Sequence, residues 1–259
     1  MQNLQITLIQ SELSWENTDK NILHFTKQIE NINEQTDVII LPEMFTTGFT
    51  MNASALAETM DGKTVTWMKQ MAQKKQAAIC GSLIIEENNQ FYNRFIWVES
   101  DGKIQFYDKR HLFRMADENN FYTSGTTKIL IEYKGFKIFP IVCYDLRFPV
   151  WLRRTKQFDY DLMVVVANWP ERRIHHWKTL LQARAIENQC YVAAVNRVGN
   201  DGNGFLYSGE SSLINPKGEI VLQQANESFT KTFTLNQGEV IEWRNNFKAI
   251  EDADNFAFE

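Results

Sequence analysis

The stretch Ile138-Phe-Pro-Ile-Val-Cys-Tyr-Asp-Leu-Arg-Phe-Pro149 decides how the rest of the chain is read. A continuous apolar run is the mark of a strand covered on both faces, and here it stops abruptly on Cys143. Tyr144, Asp145 and Arg147 follow at once, so the chain turns into polar surroundings and presents the cysteine side chain at the bend. Free cysteine is among the most buried residue types, and the plain reading of any cysteine on an apolar strand is structural. Cys80 in AAICGSL and Cys190 in NQCYVAAV fit that reading, because apolar residues continue beyond them. Cys143 does not.

Outward from this elbow the pattern is helix alternating with strand, mixed with hairpins. LQITLIQ at the start reads as a strand, and a helix capped by Asn17 or Thr18 follows, with Ile22, Phe25, Ile29 and Ile32 at helical spacing. TDVIILPE is a buried strand, TVTWMKQMAQKKQ a helix with Trp67, Met68 and Met71 on one side, and AAICGSLII a strand. Hairpins are expected about Asp101-Gly102 and Lys134-Gly135. Beyond the elbow, DLMVVVANW is a buried strand and HHWKTLLQARAIENQ a helix with Trp177, Leu180, Leu181 and Ala185 inward. CYVAAVNRVG returns to strand, and SSLINPKGEIVLQ turns at Pro216-Lys217-Gly218. The tail, about 238–259, reads as an amphipathic segment docking on the body or on a partner subunit. No linker or repeat divides the 259 residues, so the expectation is one α/β domain with a mixed sheet or two packed sheets and helices outside.

Composition narrows the function classes. A formal charge of −5 and a pI near 5.5 argue against nucleic acid and anionic membranes as partners. No apolar run approaches the roughly 20 residues that cross a bilayer. The N-terminus has neither the basic flank nor the cleavage site of an export signal, which gives a cytoplasmic expectation. Three cysteines far apart make no disulfide framework, and no Cys/His cluster suggests zinc.

Three apolar strands end in reactive side chains: VIILPE at Glu43, KIQFYDK at Lys109 and IFPIVC at Cys143. In open α/β architectures ligands gather beyond the carboxyl ends of strands. If those ends are neighbours, the trio is an acyl-transfer site. A cysteine attacks carbonyl carbon, a carboxylate moves its proton, and an ammonium stabilises the oxyanion. Taken singly, each residue has a bland alternative, since a lone Glu after a strand or a basic pair such as Lys109-Arg110 is usually a solvated face.

LPEMFTTGF, YDKRHLF and IVCYDLRFP resemble the three signature segments of the nitrilase, or carbon-nitrogen hydrolase, superfamily, in the expected order Glu, Lys, Cys. The resemblance runs from the first strand to at least NPKGE, nearly the whole chain. It implies an α-β-β-α sandwich that commonly pairs into a homodimer, and thioester chemistry without metal or organic cofactor. Carried onto this sequence, Cys143 is the nucleophile, Glu43 the general base and acid, and Lys109 the oxyanion stabiliser. A second glutamate that orients the lysine is matched by Glu118 in RMADENNFY, with Asp117 the competing assignment.

MFTTGF, KRHLFRMADE, CYDLRFPVW and VANWPERRIHHW look most like the omega-amidase branch, which hydrolyses the terminal amide of short α-keto dicarboxylate monoamides such as 2-oxoglutaramate and 2-oxosuccinamate. Such anionic substrates need a cation, and an arginine fork binds carboxylate bidentately. Arg173 is the preferred candidate, Arg172 the alternative, and Trp169 a wall beside them; both arginines also fit a solvated loop before a helix. Phe45, Phe49, Phe121 and Tyr144 are candidate apolar walls. A nitrilase, an N-carbamoyl amino acid hydrolase, or a catalytically silent binding protein of the same fold are the alternatives. GNDGNG at 199–204 reads as a turn, the His175-His176 pair as capping or packing, and Arg184 with Glu187 as a structural pair.

Overall fold

In a computed structural model describing residues 2–254 and 256, thirteen strands form two mixed sheets. The strands are β1 (Asn3–Gln10), β2 (Val38–Ile40), β3 (Ala78–Glu87), β4 (Gln90–Val98), β5 (Ile104–Asp108), β6 (Ile131–Tyr133), β7 (Phe136–Val142), β8 (Leu162–Ala167), β9 (Tyr191–Asn196), β10 (Val198–Asn200), β11 (Leu206–Ile214), β12 (Ile220–Ala225) and β13 (Phe229–Asn236). The helices are α1 (Thr18–Glu30), α2 (Ala53–Leu56), α3 (Lys63–Lys75), α4 (Glu118–Phe121), α5 (Pro149–Leu152), α6 (Ile174–Asn188) and α7 (Gln237–Asn246). The first sheet runs β13-β1-β2-β3-β4-β5; the second runs β10-β11-β9-β8-β7-β6, with β12 on β11. β1-β2-β3 and β7-β8-β9 are the parallel centres, and antiparallel hairpins flank them.

Strand periodicity explains the layering. In β2, Val38 and Ile40 point into the core between the sheets while Ile39 points to the helices; in β3, Ala78 and Cys80 face inward and Ile79 outward. The inter-sheet core joins Leu4, Ile6, Leu8, Phe95 and Trp97 to residues of β7, β8 and β9. On the far side of the first sheet, Phe25 and Ile29 of α1 pack with Val65, Met68 and Met71 of α3. On the second sheet, α6 buries Trp177, Leu181 and Ala185 against β9 and β11. The architecture is therefore the α-β-β-α sandwich. Asn17 caps α1 by accepting from Lys20 N–H at 3.0 Å.

One strand went unread in the sequence. β13 pairs along the full length of β1 and closes the edge of the first sheet, although its sequence FTKTFTLN offers few apolar residues. The tail's helix α7 meets the body through polar contacts. In α7 only Val240 is buried, and the helix is held mainly by Arg244, which donates to the Gln189 and Tyr160 carbonyls at 3.0 and 2.5 Å and pairs with Asp159 and Asp161. Asn255 and residues 257–259 of that tail lie outside the described residues. Among the described residues no helix is long and apolar enough to cross a membrane.

Candidate active site

The carboxyl ends of β2, β5, β7 and β8 open into one cleft of about 540 Å³. Beyond β2, Leu41 and Pro42 carry the chain to Glu43, and beyond β5 the next residue is Lys109. Lys109 Nζ donates to Glu43 Oε1 at 3.0 Å and to Glu118 Oε1 at 2.9 Å, with all three side chains buried. Glu118 begins the short helix α4, and its Oε2 also accepts from Phe113 N–H at 2.5 Å. Asp117 is exposed at the cleft rim in a left-handed conformation, so Glu118 is the acid that meets the lysine.

Cys143 sits where β7 passes into a 3₁₀ turn, with φ +46°. This region is unfavourable for a residue with a Cβ and persists only where the surroundings over-determine it. Asp145 supplies that constraint. Its Oδ2 accepts from Val142 N–H at 3.1 Å and Tyr107 Oη–H at 2.8 Å, and its Oδ1 from His111 N–H at 2.9 Å, with His111 Nδ1 at 2.8 Å. The buried Asp145 thus ties the Cys143 elbow to the segment that carries Lys109. The half-buried Cys143 Sγ lies 4.0 Å from the Asn168 carbonyl oxygen, and Asn168 N–H in turn donates to Glu43 Oε2 at 2.7 Å.

The electrostatics keep the thiol protonated at rest. Glu43 and Glu118 both pair with the one Lys109 ammonium. Burial pushes the Cys143 thiol well above its ordinary range, Glu43 adds to the rise, and Lys109 offsets only part of it. Burial disfavours the Lys109 ammonium, but Glu118 and Glu43 outweigh it and raise that group's pKa. Burial raises the Glu118 carboxyl, with Lys109 opposing.

The outer wall is cationic. Arg173 stacks over Phe113 at 5.0 Å and reaches the Met115 thioether at 3.7 Å; Arg172 lies over Phe205 at 4.4 Å; Arg147 lies over Trp169 at 4.7 Å. Burial and the neighbouring Arg172 and Arg147 lower the Arg173 pKa. Trp169, fixed by Asn196 Oδ1 at 2.8 Å, forms the wall between cleft and body, and Tyr144 and Phe49 line it as well.

Two of the aromatic assignments need correction. Phe45 points away from the cleft into the helix-side core, edge-on to Phe25, because the turn after Glu43 sends the residue two positions on to the opposite face. Phe121 is exposed and does not line the cleft. His176 meets Arg147 through Nδ1 at 3.1 Å and shares no ligand position with His175, and Arg184 pairs with Glu187 at 3.0 Å. Among the described residues no group of His, Cys, Asp and Glu is placed to hold a metal ion. Arg147, Asp145, Asn168 and Asn93 were not assigned to the site from sequence. Arg147 and Asp145 lie within the quoted elbow, but the two asparagines carried no signal of their own.

A family model described as carbon-nitrogen hydrolase matches residues 5–245. The chain is 49% identical over 257 residues to the Escherichia coli (strain K12) protein named omega-amidase YafV, covering 99% of each. It is 34% identical to the 2-oxoglutaramate amidase of Bacillus subtilis, covering 95% of this chain and 96% of that one. Among solved structures, XC1258 from Xanthomonas campestris, a CN-hydrolase superfamily protein with an arsenic adduct in its active site, superposes with a TM-score of 0.97 at 43% identity over the full length of both chains.

Proposed function

Because the chain belongs to the carbon-nitrogen hydrolase family, we propose that it is a cysteine-dependent amidase of the omega-amidase type, one domain hydrolysing the terminal amide of short α-keto dicarboxylate monoamides. The observation that carries this reading is the Lys109 ammonium held between Glu43 and Glu118 beneath a cysteine on a constrained elbow.

Glu43 takes the thiol proton as Sγ attacks the amide carbon. The negative oxygen that forms is met by the Lys109 ammonium and the Tyr144 N–H, a first-turn donor with no acceptor inside its own turn. Glu43 then delivers the proton to nitrogen as the C–N bond breaks, ammonia leaves, and a thioester remains. Water, deprotonated by Glu43, attacks the thioester; sulfur recovers the proton and the dicarboxylate departs. Arg173, with Arg172 and Arg147 beside it, holds the substrate's keto and carboxylate oxygens through charge-assisted hydrogen bonds. Trp169 and Tyr144 wall the carbon chain.

Ammonia release from 2-oxoglutaramate, 2-oxosuccinamate, simple nitriles and N-carbamoyl amino acids tests the reading. Turnover confined to nitriles or carbamoyl compounds refutes it, and no turnover of any of them points to a silent binding protein. A homodimer and a cytoplasmic location complete the proposal. The exposed Ile186 on α6, beside the turn that leads to exposed Ile220 and Val221, supports pairing, and sedimentation of the purified chain tests it.

A further inference from the structure

Behind the two carboxylates runs a buried ladder of hydrogen bonds whose directions are fixed by chemistry. Met44 N–H donates to Ser82 Oγ at 2.9 Å. The carboxylates on the far side of Asn93 accept, so its NH₂ turns to them and its Oδ1 is left to accept the Ser82 hydroxyl hydrogen at 2.8 Å. The Asn93 amide therefore presents its oxygen to Ser82 and its NH₂ to the acids, reaching Glu43 Oε1 at 2.8 Å and Glu118 Oε1 at 3.3 Å. Its backbone carbonyl accepts from Lys109 N–H at 3.0 Å, so the same residue seats the lysine. Ser82, Asn93, Glu43 and Glu118 are all fully buried.

The two oxygens of Glu43 are consequently not equivalent. Oε1 accepts from both Lys109 Nζ and Asn93 Nδ2, which fills the two lone pairs of a carboxylate oxygen. Among the described residues the hydrogen bond that reaches Oε2 comes from Asn168 N–H at 2.7 Å, which leaves that oxygen a lone pair, and Cys143 interacts with the same carboxylate. We propose that Asn93, oriented by Ser82, is a positioning residue that reserves Oε2 of Glu43 for the proton moving between Cys143 and the departing ammonia. The inference rests on Glu43 being the base. The thiol proton passes to Oε2 as the S–C bond forms and leaves on nitrogen as the C–N bond breaks, with no further reactant.

Losing the Asn93 donor weakens the carboxylate form of Glu43, whose other close neighbours are Lys109, Glu118, Cys143 and the Asn168 N–H, with Tyr122 near by. The acid limb of the pH–rate profile then moves to higher pH. The test uses the full chain and 2-oxoglutaramate, with kcat and kcat/KM followed from about pH 5 to about pH 9. Asn93→Ala is expected to lower kcat roughly ten- to hundredfold, with KM changed by no more than about threefold, and to shift the acid limb upward. Ser82→Ala, which removes one oxygen that touches neither carboxylate, is expected to give a smaller shift in the same direction. It also carries the test alone if Asn93→Ala does not fold. An unmoved acid limb with wild-type kcat in Ser82→Ala, even at a lower melting temperature, means a purely structural ladder and overturns the proposal. Glu43→Gln serves as the separate control: near-normal turnover there refutes the base assignment itself, whereas an inactive Glu43→Gln with unshifted Ser82 and Asn93 variants refutes only the positioning role.

Discussion

Replacing Lys109 by methionine keeps much of its length and removes its charge, so two consequences can be separated. The first is catalytic. In the proposed mechanism Lys109 meets the oxyanion, and the loss of one such donor typically costs about 3 kcal/mol, roughly a hundredfold or more in kcat. The second is structural. Among the described residues Lys109 is the only cation hydrogen-bonded to Glu43 and Glu118, and all three side chains are at most 1% exposed. Removing one partner of a buried ion pair costs on the order of 3–5 kcal/mol. Protonation of one carboxylate relieves part of that, because two acids sharing Asn93 without a counter-ion cannot both remain charged. The sign of the pH dependence follows. A carboxyl whose folded pKa is raised above its unfolded value stabilises fully below the unfolded pKa and loses that contribution as pH rises through the folded one. Lys109→Met is therefore expected to melt closest to wild type in mild acid, with the deficit widening toward neutral and alkaline pH. Steady-state ammonia release and thermal melts across pH measure both. A variant with wild-type kcat, or a melting deficit that shrinks as pH rises, would falsify the assignment of Lys109 as counter-ion and oxyanion donor.

Cys143→Ala is expected to abolish hydrolysis while leaving the circular dichroism spectrum and melting temperature close to wild type, since the side chain lies past the packed strand; residual turnover at even a few per cent of wild type, roughly, speaks against a thioester. Arg173→Ala is expected to raise KM for 2-oxoglutaramate about ten- to hundredfold while leaving neutral amides little affected, and an equal loss on both would remove its role at the substrate carboxylate. Because burial and Glu43 hold the Cys143 thiol up, alkylation by iodoacetamide in the absence of substrate should be slow near neutrality and accelerate as pH rises; rapid, pH-independent labelling contradicts a protonated resting thiol.

The elbow was legible because an apolar run that stops on a cysteine is a local pattern, and the same holds for Lys109 at the end of β5 and Glu43 just past β2. What brings them together is not local: β2 and β7 belong to different sheets, and only the family likeness placed their ends side by side. β13 was missed because its partner β1 lies more than two hundred residues away, and Thr and Lys alternate with its few apolar residues. Asn93 and Asn168 were invisible for a related reason. Asn93 lies within a strand and Asn168 just after one, as unremarkable polar residues, and their importance comes from contacts 50 and 125 residues away in sequence. Phe45 resembles a site wall in the sequence, two residues from Glu43, and only the direction of the turn sends it into the helix-side core.

Lys109 lines the cleft while Glu43 and Glu118 lie wholly buried behind it, and Arg147, Arg172 and Arg173 share the outer lining with Glu16, Asp117 and Asp201. A guest in the cleft therefore meets the two acids only through the ammonium that stands in front of them. The sign of the charge felt at the cleft floor thus hangs on a single side chain, and taking that one cation away turns the same floor against any negative guest.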